Sequence, residues 1–204
     1  MGKVTCQITV SLDGYVAGPH QTLDEPLGRG GERLHEWFMG EAPRHPVDDD
    51  VAWGLLEGNG AYVMGRNMFG PVRGGWDSRP DWRGWWGADP PYHTPVFVLT
   101  HHAREPLEME GGTTFHFVTD GLAVALERAR EAAGPDRNVC IGGGASTVNQ
   151  ALAAGLIDEL YLHLAPITLG GGARLFADAG DVRLTPVETI HSPRVTHVRY
   201  RVDR

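Results

Sequence analysis

The chain is poor in cysteine, in basic charge and in long apolar runs, and each shortage removes a class of function. Only two cysteines occur in 204 residues, Cys6 and Cys140, so a disulfide framework is excluded and a thiolate zinc site has too few ligands. Both lie among β-branched residues in strand-like segments, the setting of buried free thiols. Lys and Arg number 18 against 26 Asp and Glu, a net charge of −8. A surface that neutralises phosphates needs a basic face, so a nucleic-acid partner is not expected. No apolar run approaches the ~20 residues that cross a bilayer. The first residues lack a basic segment followed by an apolar stretch, and the expectation is a cytoplasmic protein with no membrane partner. Ten histidines are present, His101 and His102 side by side, yet none has the spacing of a zinc helix, so no metal is expected.

What is present is ordinary globular composition, 41% apolar and 22% charged, enough for one domain over residues 1–204. Val4 to Val10 is β-branched and runs into Asp13-Gly14, a strand ending in a tight turn. A glycine- and proline-rich loop fills residues 18–31. Short helical segments follow at Glu32 to Met39 and Asp48 to Glu57, and then a buried strand at Ala61 to Met64. Residues 70–95 crowd Gly, Pro and four tryptophans into a stretch without periodicity, and a loop that long is usually functional. Strands are expected at Val96 to Leu99, Thr114 to Val118, Asn138 to Ile141 and Leu160 to Leu164. Helices are expected at Asp120 to Ala133, capped by Thr119 or Asp120, and at Ser146 to Ala154. Residues 182–202 alternate like two antiparallel strands about His191-Ser192-Pro193.

The junction Val139-Cys140-Ile141-Gly142-Gly143-Gly144-Ala145-Ser146-Thr147 carries the clearest chemistry. Glycines let a phosphate or ring approach the backbone, and the helix that follows offers unpaired N–H groups. It has neither the lysine of a P-loop nor the Rossmann spacing. With Leu156 to Leu162 after it, with Met64-Gly65-Arg66-Asn67-Met68 before it, and with Ser11-Leu12-Asp13-Gly14-Tyr15-Val16-Ala17-Gly18 at the first turn, the chain resembles dihydrofolate reductases. It is most similar to the reductase domain of riboflavin biosynthesis, the deaminase-reductase C-terminal family, from about Val4 to Val202. The zinc deaminase signature is missing.

That resemblance implies an α/β fold of the dihydrofolate reductase type: a mixed, mainly parallel central sheet, helices on both faces and an antiparallel C-terminal hairpin. It implies NADPH as cofactor. Arg66, Thr100 and His101 would surround the adenosine 2′-phosphate, and the backbone of Gly143, Gly144, Ala145, Ser146 and Thr147 would hold the pyrophosphate, with Gly65, Asn67, Met68 and Gly142 also binding the cofactor. Thr9, Val16 and Ala17 would line the nicotinamide. It further implies Cys6 and Cys140 on adjacent strands, a cis peptide between Gly142 and Gly143, a homodimer, and activity like that of 5-amino-6-(5-phosphoribosylamino)uracil reductase on a pterin, pyrimidine or flavin-like small molecule.

Departures and alternatives remain. Met68 replaces a threonine of dihydrofolate reductases, and the acid those enzymes place against the pteridine has no counterpart that Asp24, Glu25 or Glu32 clearly fills. Asp13 is the polar candidate near the hydride, or simply a turn residue. Trp85, Trp86 and Tyr92 have the flat faces to stack on a heterocyclic substrate, and equally the makings of a dimer contact or a satellite core. A nucleotide-binding module without turnover and a flavin-binding oxidoreductase stand as rival functions.

Overall fold

The computed structural model describes residues 2–40, 44–70 and 73–203. Strand β1, Val4–Ser11, sits near the centre of a nine-stranded sheet. The other strands of that sheet are β3 (Asn59–Gly65), β4 (Pro95–Leu99), β5 (Leu107–Glu108), β6 (Thr114–Val118), β7 (Asn138–Ile141), β8 (Glu159–Ala165), β10 (Arg183–His191) and β11 (Thr196–Asp203). Their order is β10-β11-β8-β1-β7-β3-β4-β6-β5. The strands from β8 to β6 run parallel, while β11, β10 and β5 pair antiparallel. This is the mixed, mainly parallel sheet with a C-terminal hairpin that the sequence led us to expect. Three short strands were not anticipated: β5 at the sheet edge, and β2 (Tyr15–Ala17) and β9 (Ala173–Arg174), which pair as a separate ribbon.

Alternation along β1 divides the protein into two sides. Val4, Cys6 and Val10 face a core built with α4 (Leu122–Ala133) and α5 (Ala145–Ala153), where Leu126, Ala129, Val148 and Ala151 are buried. Helices α1 (Glu36–Met39), α2 (Pro46–Gly54) and α3 (Arg66–Phe69) lie on the opposite face. There a second, aromatic core gathers Tyr62, Met64, Phe69, Trp76, Val98, Phe115 and Cys140. The crossovers explain the division: β1 to β3 to β4 steps one way along the sheet and β6 to β7 to β8 steps back, so right-handed connections put their helices on opposite faces.

Cys6 and Cys140 are free, buried and on adjacent strands, as expected. Cys140 pairs with Thr5 rather than with Cys6, which places the two thiols on opposite faces of the sheet. Burial raises both thiol pKa values, that of Cys140 to about 11.

Three local expectations need correction. The helix expected from Asp120 begins at Leu122 behind Gly121, whose φ of 88° and lack of a side chain replace the expected Thr or Asp cap. α5 likewise begins without a side-chain cap, at Gly144. The segment expected as one helix over 32–39 is a 3-10 turn, Gly31–His35, followed by the four residues of α1. The tryptophan-rich stretch contains only a 3-10 turn, Trp76–Ser78, as regular structure among its described residues, and Pro71 and Val72 lie outside them.

Candidate functional site

The parallel strands all point their C-terminal ends at one edge, and the glycine-rich junction opens there. β7 pairs with β3 through Gly142, whose N–H donates to Val63 C=O at 2.9 Å, and Gly143 C=O then accepts the Gly65 N–H at 2.8 Å. The cis peptide joins Gly143 to Gly144. This corrects the expected Gly142–Gly143 position by one residue: the strand ladder still holds Gly142, so the chain turns only after it. Gly143 has φ 112°, outside the range of L side chains, and a Cβ there would meet Met68 Sδ at 3.5 Å. At Gly65 a Cβ would lie 2.6 Å from Thr147 Oγ1, so the end of β3 presses directly on the first turn of α5.

The first N–H of α5 to find an acceptor inside its own helix is that of Val148, bonded to Gly144 C=O at 3.1 Å. The N–H groups of Ala145, Ser146 and Thr147 precede it and have no intrahelical acceptor. Ala145 and Thr147 are buried and Ser146 is exposed. Arg66 leaves β3 beside this turn. Its guanidinium lies 3.8 Å from the Trp76 ring centroid, and Nη1 donates to Thr100 Oγ1 at 3.3 Å. Nε and Nη2 are buried with no partner among the described residues. Burial, with Arg73 adding, lowers the Arg66 pKa, although a guanidinium stays cationic. A half-buried cation with two such donors is a place for an anion. The donor set therefore fits the phosphates of a nicotinamide dinucleotide.

Other expected positions distribute unevenly. Thr100 is buried and also accepts the His102 N–H, whereas His101 is exposed. Asn67 reaches Gln21 of the glycine-rich loop at 3.4 Å, and Met68 packs on the aromatic core. Val16 and Ala17 are buried on β2, which packs against β1, and Thr9 is buried on β1.

Asp13 has the geometry of the turn residue. Its carboxylate accepts from Ser11 Oγ at 2.6 Å and from the N–H groups of Leu169 and Gly170. The Ser11 hydroxyl above all, with those backbone donors, holds its pKa at about 2. These contacts are those of a turn residue, the alternative reading of Asp13. Asp24, Glu25 and Glu32 are exposed.

Trp85, Trp86 and Tyr92 do not join this edge. Tyr92 packs edge-on against Tyr62 and Phe115, and Trp85 against Trp82, whose Nε1 donates to Phe69 C=O at 2.9 Å. Only Trp86 is substantially open, at 46% exposure. The loop is thus a cover on the second core: Tyr92 and Trp85 pack as the satellite-core alternative has it, and Trp86 is left open.

With this geometry described, comparison with known proteins is informative. The RibD C-terminal domain family matches residues 2–198. The chain belongs to the RibD C-terminal domain family. A candidate riboflavin biosynthesis protein from Shewanella sp. PV-4 shares 26% identity over 99% of each chain, with a TM-score of 0.68. The riboflavin biosynthesis reductase of Saccharomyces cerevisiae superposes with a TM-score of 0.59 at 16% identity, covering 99% of this chain and 90% of that one. Dihydrofolate reductase from Enterococcus faecalis, complexed with NADP(H), does so with a TM-score of 0.54 at 15% identity over 100% and 98%. No curated protein matches the chain in sequence. The fold is accordingly of the dihydrofolate reductase type.

Sequence reasoning missed a buried polar row on the α1–α2 face: Asp48, His163, His197 and Ser192. It borders a cleft of about 500 Å³ that also touches Gln7, Asn59, Tyr161 and Arg199, toward the N-terminal halves of the strands, with His163, level with Thr9 on β1, at its end nearer the C-terminal edge. The one available signal was His163 in the alternating segment Leu160 to Leu164, a polar residue on a strand otherwise rich in apolar ones.

Proposed function

We propose that this RibD C-terminal domain protein is an NADPH-dependent reductase. It moves a hydride to the carbon of a C=N or C=O bond in a pterin, pyrimidine or flavin-like small molecule. The observation that carries the reading is the half-buried Arg66 guanidinium beside the glycine turn, whose Nε and Nη2 are buried with no partner among the described residues. Burying such donors without a partner costs about 1 to 3 kcal/mol each, a cost that a phosphate removes. In this reading Arg66 and Thr100 hold the 2′-phosphate, and the backbone from Gly143 to Thr147 holds the pyrophosphate at the start of α5. Thr9, Val16 and Ala17 lie along the nicotinamide. Bound there, the cofactor supplies the hydride, and the protein supplies alignment.

A binding module without turnover is the second reading, and one observation favours it: every acid that the sequence offered for the reaction is either locked in a turn, as Asp13 is, or exposed. Titration of NADPH and NADH, followed by NADPH oxidation with 5-amino-6-(5-phosphoribosylamino)uracil, separates the two. Tighter NADPH binding with turnover supports the reductase; tight binding without turnover on any pterin or pyrimidine supports the module. Homodimerisation belongs to the first reading and is decided by sedimentation.

A further inference from the structure

On the face that α1 and α2 cover, three neighbouring strands set Thr9, His163 and His197 side by side, since Thr9 pairs with His163 and His163 with His197. All three are buried. Trp37 of α1 closes over the row: Nε1 donates to Thr9 Oγ1 at 3.2 Å, and its ring centroid is 4.9 Å from each imidazole. At the far end Asp48 of α2, fully buried, accepts from His197 Nε2 at 3.1 Å and from Ser192 Oγ at 3.0 Å. The Nδ1 atoms of His197 and His163 are 2.8 Å apart.

These contacts dictate where the hydrogens are. A carboxylate only accepts, so His197 Nε2 carries a hydrogen. Nδ1 of a neutral His197 is then a lone pair, and His163 must donate to it from its own Nδ1. That leaves His163 Nε2 bare. Burial opposes charge on either ring, pushing His163 down to about 3 and lowering His197 against the opposite pull of Asp48. A proton that reaches His163 Nε2 need not leave the charge there: the Nδ1 hydrogen crosses the 2.8 Å gap to His197, next to the carboxylate. His163 ends neutral with a hydrogen on Nε2, and the charge of the three groups goes from −1 to zero.

We propose that Asp48, His197 and His163 form one acid–base unit that stores a proton beside Asp48 and gives it up at His163 Nε2, which makes His163 the proton donor of the reduction. This rests on the reductase reading above. NADPH hydride adds to the carbon of the C=N or C=O bond, the π pair moves to the attached nitrogen or oxygen, and that atom takes the His163 Nε2 proton. The His197 Nδ1 hydrogen returns to His163 Nδ1, and water in the cleft, which both imidazoles border, reloads the unit. His163 meets the substrate; His197 and Asp48 are positioning residues. The other titratable or charged groups around them are His35 before α1, Asp50 on α2, Glu57 after it, Tyr161 on β8, Glu188 on β10 and Arg199 on β11.

Imidazole nitrogen NMR on the ligand-free protein tests the hydrogen placement without any turnover. Wild type near pH 8 is expected to show His163 protonated on Nδ1 and His197 on Nε2. In Asp48→Asn both tautomers should invert. Ser192 Oγ already accepts the N–H groups of Arg194 and Val195, each at 3.2 Å, so its own hydrogen holds the new amide oxygen and turns the amide NH₂ toward His197. With NADPH and 5-amino-6-(5-phosphoribosylamino)uracil, Asp48→Asn and His163→Gln should each lower kcat by about 100-fold and leave NADPH affinity unchanged. The alkaline limb of kcat should move to lower pH in Asp48→Asn, where the stored charge has lost its carboxylate. A wild-type His163 with its hydrogen on Nε2 overturns the unit even if the variant does not fold. An unchanged kcat and limb in an enzyme that turns over overturns the relay alone. Failure of wild type to bind NADPH or to turn over overturns the reductase reading, and the catalytic role with it.

Discussion

On the face that carries α1, α2 and α3, the strands on the two sides of β7 have opposite chemistry. β3, β4 and β6 present Tyr62, Met64, Val98 and Phe115 to a dry aromatic core under the tryptophan loop. β1, β8 and β11 present Thr5, Thr9, His163 and His197, a polar row with a cleft over part of it. One sheet with one period of alternation supports both, so the difference lies in what the crossover segment brings. The aromatic-rich loop supplies rings, whereas α1 and α2 supply one ring, Trp37, and one carboxylate, Asp48. Buried polar groups are generally paired, and here Asp48 supplies the partner for His197 and Ser192.

The comparison breaks most visibly if the aromatic half is disturbed. Phe69 is 1% exposed and meets Trp76, Phe115 and Phe117 edge-on. Phe69→Ala should cost about 3 to 5 kcal/mol of stability by chemical denaturation, because the cavity forms among rings that cannot all close in. A loss under 1 kcal/mol would mean that the loop is only loosely laid on the sheet.

Much of this division was legible in the sequence, and the part that was not has a physical cause. The glycine run after Val139-Cys140-Ile141 marked an edge where backbone must be bare. β1 was visible as a β-branched run, and the closing hairpin was visible as alternation. The polar row could not be seen, because Asp48, His163 and His197 lie in three separate segments and meet only through the register of β8 with β11. The tryptophan loop misled for the opposite reason. A cluster of aromatics has the same composition whether it stacks on a ligand or on Phe69 and Tyr62, and only the sheet face beneath it decides.

A second effect sharpens the contrast between edge and core. Arg66→Ala should weaken NADPH binding by about ten- to a hundredfold, the worth of a charged hydrogen bond of roughly 1.5 to 3 kcal/mol, while NADH affinity barely changes. Titration of both cofactors at two salt concentrations checks it. Equal losses would mean that Arg66 only braces Trp76 and Thr100.

The polar half should also be the acid-labile half. Burial holds His35 at about 4, below the ordinary value of about 6.5. The unfolded chain therefore binds a proton there that the folded one refuses between pH 6.5 and 4, and linkage makes stability fall as pH drops through that window. Above pH 6.5 this group adds no slope. His35→Gln should flatten part of the decline in Tm between pH 6.5 and 4 and leave the pH 8 value within a few degrees. An unchanged slope would mean that His35 opens to water before it titrates.

The smallest expected effect decides whether the tryptophan loop has any share in binding. Trp86 is the most open ring of the loop, and its side chain hydrogen-bonds Tyr92, whose hydroxyl pKa is raised chiefly by burial. Trp86→Phe keeps a flat face for stacking but removes the indole donor. If the loop is only a lid on the second core, the change should lower stability by about 1 kcal/mol, the ordinary net worth of one hydrogen bond, and KM for the phosphoribosylaminouracil should stay within about twofold. Trp86→Ala should add a little more instability and again spare KM. A tenfold rise in KM with Trp86→Ala but not with Trp86→Phe would be the mark of a ring that stacks on substrate, and it would join the two halves of this face into one site.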